Sequence, residues 1–335
     1  MLKVSVIVPC YNEQETIRLL LKSLCDQTIN KSDFEVVIAD GMSTDQTRAV
    51  IADFQKSNPL LNVRVVDNPD RNIPSGLNRA IASAQGEWIV RLDAHSMPRP
   101  DYVERSVAAL EQGLGENVGG VWEIQPFGNG IQARAIAAVA AHPLAVGDAH
   151  YRFGTRPQIT DTVPFGAYAR SLVDRIGGYD ESLLTNEDYE FNTRIRAIGG
   201  RIWLDPAIRT VYFARPDLGA LARQYWRYGY WKARMLRRYP ASLRWRQAIP
   251  PLFVATLLAG SAAAIFWPAV RLLLAALILI YILILFGAGL QIAWKKKDLA
   301  LLAVVPLAIA IMHLTWGSAF LWSMIKQREA DEAPG

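Results

Sequence analysis

Four short clusters carry the residue types that chemistry needs. They are Pro9-Cys10-Tyr11-Asn12-Glu13, Asp40-Gly41 with Ser43, Thr44 and Asp45, Arg91-Leu92-Asp93-Ala94-His95, and Thr185-Asn186-Glu187-Asp188. A carboxylate such as Asp93 at the end of an apolar run is costly to bury unpaired. At an open edge it can instead hold a divalent ion that bridges phosphate oxygens. One of the adjacent acids Glu187 and Asp188 can act as a general base toward a hydroxyl. Each cluster also has a plain structural alternative. The first reads as a strand end with a helix cap and the second as a capped turn. The third reads as a solvated strand-end aspartate, and the fourth as first-turn charges complementing a helix dipole.

Short apolar runs alternating with helical patterns position these clusters. Strands are expected at Val4–Val8, Phe34–Ala39, Val63–Val66 and Glu87–Leu92. Helices are expected at Glu13–Gln27, Gln46–Lys56 and Ser75–Ala84, and farther on at Asp101–Gln112, Gln132–Ala141 and Asp188–Ile198. Continuous apolar strands alternating with helices predict a mostly parallel sheet covered on both faces. In such an open α/β fold, ligands bind beyond the carboxyl ends of the strands. Asn12 and Glu13, Asp40 and Asp93 all fall at such ends.

The chain has 335 residues, which suits a catalytic domain plus an appendage. The appendage is apolar. Ile249–Trp267, Leu272–Trp294 and Leu299–Ile325 each have the length of a bilayer span, roughly 20 helical residues. The net charge of +5 matters less than its placement: basic residues crowd between Arg223 and Arg246 and at Lys295-Lys296-Lys297. A basic stretch beside apolar segments fits an anionic membrane surface. No groove-reading motif points to nucleic acid. The positive-inside rule puts the N-terminal domain in the cytoplasm and, with three spans, the C-terminus outside. The expected organisation is a domain over 1–215, a basic and aromatic interfacial segment over 216–248, spans over 249–325 and a polar tail over 326–335. Cys10 and Cys25 have no metal-ligand spacing and read as small buried hydrophobes.

The order of the clusters resembles the family 2 glycosyltransferases, over roughly Val4–Arg238. VSVIVPCYNE and VVIADGMSTDQT look like that family's first two strands. RNIPSGLNRAIASAQGEWIVRLDAH looks like the stretch from the donor diphosphate region to the metal motif. DTVPFGAYARSLVDRIGGYDESLLTNEDYEFNTRIRAIGGRI looks like its acceptor loop and catalytic acid region. With the C-terminal spans, the chain is most similar to exopolysaccharide glycosyltransferases of the succinoglycan type.

That resemblance implies a nucleotide-sugar-binding GT-A type domain and an inverting transfer of a hexose, with UDP-glucose as the expected donor. Pro9, Tyr11, Asn12, Glu13 and Asp40 would surround the donor base and ribose. Arg71, Ser75 and Asn78 would lie near ribose and diphosphate. Asp93 would face a divalent cation, Mn²⁺ or Mg²⁺, and the sugar. Asp188 of the Glu187-Asp188 pair would be the base, and Phe165 and Gly166 would line the acceptor side. Many members carry Asp-x-Asp where this chain has Asp93-Ala94-His95. Either His95 ligates the metal, or Asp93 holds it with the diphosphate, or His95 contacts sugar or phosphate without metal. Gln224-Tyr225-Trp226-Arg227 resembles the Gln-x-x-Arg segment of membrane polysaccharide synthases, which implies Arg227 near the diphosphate and Trp226 on the acceptor side. The implied acceptor is a lipid-linked saccharide or glycan at the membrane. Alternatives are transfer to polyprenyl phosphate, or a non-catalytic membrane subunit of a polysaccharide assembly complex.

Overall fold

The computed structural model describes residues 2–332, with side chains through Lys326. The first stretch alternates as expected: β1 (Val4–Cys10), α1 (Ile17–Cys25), β2 (Phe34–Asp40), α2 (Thr47–Ser57), β3 (Asn62–Asp67), α3 (Ile73–Ser83) and β4 (Trp88–Arg91). β5 (Met97–Pro98), α4 (Tyr102–Glu111), β6 (Asn117–Gln125), α5 (Ile131–Val139) and α6 (Pro143–Val146) follow. Next come β7 (Gln158–Thr160), β8 (Ala167–Ala169), α7 (Arg170–Ile176), α8 (Glu187–Ala197) and β9 (Ile202–Phe213). The chain then becomes helical: α9 (Leu218–Arg238), α10 (Trp245–Ala263), α11 (Pro268–Lys296) and α12 (Leu301–Glu332).

β2 is buried at every residue and β1 at all but one, because helices cover both faces. That is why their sequences are mostly apolar rather than alternating, the buried Ser5 and Glu35 satisfying each other at 2.7 Å. β1 pairs in parallel with β2 and β4, and β2 with β3. The sheet order is β3-β2-β1-β4-β8-β6-β9-β5, with β7 also on β9. The β8 pairings, to β4 and β6, are antiparallel. The sheet is therefore parallel on the side that carries the first motifs and mixed on the other. α1 buries Ile17, Leu20, Leu21 and Leu24 against this sheet core. It starts at Ile17, later than the expected Glu13. The main-chain N–H groups of Glu13 and Gln14 are instead held by Thr47 Oγ1 at 2.8 Å and Asp45 Oδ2 at 3.2 Å.

Contacts divide the chain into two compact units: Met1–Glu123 with His150–Tyr212, and Ile124–Ala149 with Phe213–Gly335. The second unit thus includes an excursion, Ile124–Ala149, that the sequence placed in the catalytic domain. Within this unit Arg134 pairs with Asp298 at 3.1 Å, and the main-chain oxygen of Leu144 lies 2.9 Å from His313 Nε2.

Two described helices, Pro268–Lys296 and Leu301–Lys326, are long and apolar enough to cross a membrane, rather than three. Of the stretch Ile249–Trp267 only the part through Ala263 is helical, within α10, which begins at Trp245 with Arg246 in its first turn and Pro250 and Pro251 inside. Its uncharged helical part is about 22 Å long at ~1.5 Å per residue, short of a hydrocarbon core of about 30 Å. Of the expected polar tail, α12 continues to Glu332, and residues 333–335 lie outside the described part.

Candidate active site

The parallel strands bring the third and fourth clusters together around one side chain, Arg91, the last residue of β4. It is 2% exposed. Its Nη2 donates to Glu187 at 2.8 Å and to Asp93 at 3.2 Å, and its Nη1 donates to Asp188. The rings of Phe165 and Tyr179 flank the guanidinium at 6.0 and 5.8 Å. The main-chain N–H of Arg91 donates to the oxygen of Gly166 at 2.9 Å, so the Phe165-Gly166 turn is tied to the same residue.

Local backbone geometry aims these groups. Asn186 sits in the left-handed region at φ 71° immediately before α8, so Glu187 and Asp188 open the helix. Asn192, fully buried in α8, accepts from Asn117 at 2.7 Å and donates to Thr162 at 2.9 Å, which holds α8 in place. Phe165 and Gly166 also have positive φ, 63° and 90°. A Cβ at Gly166 would run into the Asn117 side chain. This strained turn presents the Gly166 oxygen to the Arg91 N–H. Strain of this kind persists only where its surroundings enforce it.

One guanidinium faces three carboxylates, which leaves two negative charges when all are ionised. Burial pushes the Asp188 carboxyl above the usual carboxylate range, with Glu187 and Asp93 adding to that and Arg91 opposing it. The Asp188 side chain nevertheless keeps 24% of its surface open. The second oxygen of Asp93 has no protein partner among the described residues. An excess of negative charge and a free hard oxygen suit Mg²⁺ or Mn²⁺. Among the described residues no three His, Cys, Asp or Glu side chains gather to hold a metal, so a cation here would need further ligands from outside the protein. His95 lies 3.0 Å from Glu13, linking the first and third clusters.

The first two clusters interlock. Asn12, at φ 53°, donates its N–H to Ser43 Oγ at 2.9 Å and accepts from the Thr44 N–H at 2.9 Å. Asp40 is fully buried. It accepts from the Ser43 N–H at 3.1 Å and from Arg48 Nε at 2.5 Å, and Arg48 also reaches Asp67. Asp40 thus shapes the loop from inside, while Tyr11 is exposed beside it. Pro9 lies within β1, in register with Ala39. Arg71 is left-handed at φ 54°, just before α3. Asn72 caps α3 by accepting from the Ser75 N–H at 2.9 Å, and Asn78 accepts from the Tyr179 N–H at 2.8 Å. Asn78 therefore ties α3 to the loop before α8. Arg227 and Trp226 lie on α9, in the second unit. A cavity of about 660 Å³ lined by Thr28, Arg99, Arg105, Glu123 and Arg209 contains none of the expected site residues. Cys10 is buried and burial pushes its thiol up, so it is no nucleophile.

Sequence reasoning missed two cations, Arg91 as the hub and Arg48 as the partner of Asp40. The available signal was an arginine closing the apolar run two residues before Asp93.

The profile described as Glycosyl transferase family 2 matches residues 5–177. The chain is 32% identical to the succinoglycan biosynthesis protein ExoA of Rhizobium meliloti (strain 1021), covering 94% of this chain and 93% of that one. It is 23% identical to a dolichyl N-acetyl-alpha-D-glucosaminyl phosphate 3-beta-D-2,3-diacetamido-2,3-dideoxy-beta-D-glucuronosyltransferase of Methanococcus voltae, covering 96% and 97%. The fold is similar to the mannosyltransferase PcManGT of Pyrobaculum calidifontis, solved with GDP-Man and Mn²⁺. The TM-score is 0.64 at 23% identity, covering 96% of this chain and 87% of that one.

Proposed function

The chain belongs to glycosyl transferase family 2 and is a glycosyltransferase, and on that premise we propose that it transfers a hexose with inversion. The proposed donor is a nucleotide-diphosphate sugar, UDP-glucose first among candidates. The proposed acceptor is a lipid-linked saccharide in exopolysaccharide or cell-surface glycan synthesis. The relative that acts in succinoglycan biosynthesis supports the product class. The observation that carries the reaction is the Arg91 cluster, which holds a raised-pKa carboxyl, Asp188, beside Asp93.

In this mechanism Asp188 takes the proton of the acceptor hydroxyl as its oxygen attacks the anomeric carbon. The bond from that carbon to the diphosphate oxygen breaks on the opposite face, and its electron pair leaves with the nucleoside diphosphate. A single displacement inverts the configuration, so no protein nucleophile is required. Asp93, with His95 as a second candidate, would hold a divalent cation that neutralises charge on the leaving diphosphate. Arg71, Ser75 and the Pro9–Glu13 and Asp40 loops would hold the donor, and Phe165 and Gly166 would border the acceptor. Arg91 keeps Asp188 and Asp93 in fixed relation, which is where preorganised electrostatics lower a barrier.

The apolar helices of the second unit would attach the protein to the cytoplasmic membrane, with the basic face of α9 toward anionic headgroups. The catalytic unit would then work in the cytoplasm. The test is nucleoside diphosphate release in detergent from UDP-glucose, UDP-galactose, UDP-N-acetylglucosamine and GDP-mannose. Each is supplied with Mg²⁺, Mn²⁺ or EDTA and a membrane extract as acceptor. Metal-dependent release from one donor, abolished by Asp188→Asn, is the expected result. Release that survives Asp188→Asn removes Asp188 as the base.

A further inference from the structure

The family resemblance puts Asn78 near the donor diphosphate, yet its carboxamide is engaged by the protein. Its Oδ1 accepts from the Tyr179 N–H at 2.8 Å. Its Nδ2 donates to the Tyr179 main-chain oxygen at 2.9 Å and to Glu181 Oε1 at 2.7 Å. A primary amide has two N–H donors, and both are used here. The side chain therefore binds both main-chain polar groups of one residue. Gly178 leaves room for this approach, since a Cβ there would stand 2.4 Å from Asn78 Oδ1.

Tyr179 forms part of the wall around Arg91. It is 4% exposed. Its ring stacks on Phe191 of α8 at 4.7 Å and lies 5.8 Å from the Arg91 guanidinium. Its hydroxyl is 3.2 Å from that of Tyr168. Arg91 in turn donates to Glu187 and Asp188 at the start of α8. From the other side, Arg194 of α8 donates to the main-chain oxygens of Ile176 and Gly178, each at 2.6 Å. The stretch 176–181 is thus a joint, held by α8 through Arg194 and by α3 through Asn78. α3 itself packs on β1 and β2, the strands that end in the first two clusters.

We propose that Asn78 is a positioning residue for transfer: it fixes Tyr179 against Arg91 and so sets where Asp188 meets the acceptor hydroxyl, without touching the donor. The inference rests on the proposed role of Asp188 as the base. Displacing a reacting group by about 1 Å can cost on the order of a hundredfold in rate. Such a loss falls on the chemical step and leaves donor affinity intact.

Two full-length variants break the joint from opposite sides. Asn78→Ala removes the carboxamide, and Gly178→Ala drives a Cβ against its Oδ1. Each is assayed in detergent with the donor that the wild type turns over. Rates are expressed per binding site, counted by calorimetric titration with the nucleoside diphosphate released, so that misfolded protein does not enter kcat. The expected result is a kcat lowered about tenfold or more in each variant, with donor KM within about twofold of wild type. The double variant should be no more than about twofold slower than the slower single one, because both changes break the same contact. A raised donor KM with kcat intact makes Asn78 a donor contact and overturns the inference. Wild-type kcat in both variants, or losses that multiply in the double variant, overturn it as well. If Asn78→Ala does not fold, the kcat and KM of Gly178→Ala decide by the same criteria. Release that survives Asp188→Asn removes the base itself, whatever the kinetics of the Asn78 variant.

Discussion

Arg91 shows what a single buried cation can organise. Its three carboxylate partners come from its own strand end and from a helix start almost a hundred positions away. Removing it strands those charges, and breaking a buried pair costs about 3–5 kcal/mol. Asp93 and Asp188 are partly open, so Arg91→Ala should lose about 3 kcal/mol or somewhat less in urea unfolding. The pH dependence follows from the sign of the Asp188 shift. A base works only when ionised, so kcat/KM should fall as pH drops through its raised value, above the ~3.9 of an ordinary aspartate. Because Glu187 adds to the upward shift, Glu187→Gln should move this acid limb to lower pH. A pH–rate profile of both proteins checks it, and an unmoved limb would detach Glu187 from the base. Asp93, Glu187 and Asp188 were legible in the sequence because carboxylates at element ends stand out. Arg91 was not, since its partners are set by tertiary contact rather than by spacing.

Elements hold these side chains by local devices whose strength can be measured. Asn72 accepts from the Ser75 N–H and caps α3, so Asn72→Ala should cost about 1 kcal/mol of stability. Gly166 combines φ 90° with a side chain in the space a Cβ would occupy. Gly166→Ala should therefore displace the Phe165 turn and lower kcat for transfer by tenfold or more, while far-ultraviolet circular dichroism stays unchanged. A wild-type kcat would show that the turn does not position the base. β1 and β2 were legible because burial on both faces leaves a mostly apolar record. α10 was not, because hydropathy over Ile249–Trp267 does not reveal where a helix stops. Its last four residues lie beyond the helix, and the remaining length is too short to span.

On the scale of the whole molecule, the proposed function divides the labour between a unit that would carry the catalysis and an apolar helical unit that would meet lipid. If α9 meets anionic headgroups through charge, binding of the detergent-free protein to vesicles containing phosphatidylglycerol should weaken as salt rises. It should not be abolished, since the apolar surface of α11 is indifferent to salt. Vesicle flotation at low and high salt checks this. The change from an α/β stretch to apolar C-terminal helices was legible from composition. The assignment of Ile124–Ala149 to the helical unit was not, because that alanine-rich excursion looks like any covering helix of an α/β domain.

The order of strands in the sheet also sets a clock. β8 lies between β4 and β6 in space, yet it is made after both. From the end of β4 at Arg91 to the start of β8 at Ala167, a ribosome moving at ~5–20 residues per second needs about 4–15 s. Through that interval β4 has one bare edge, and Arg91 lacks two of its three carboxylates. The nascent chain is therefore exposed to mispairing while the excursion Ile124–Ala149 emerges. The brevity of β4, four residues closing on a charge, is the feature that limits what can add to that edge.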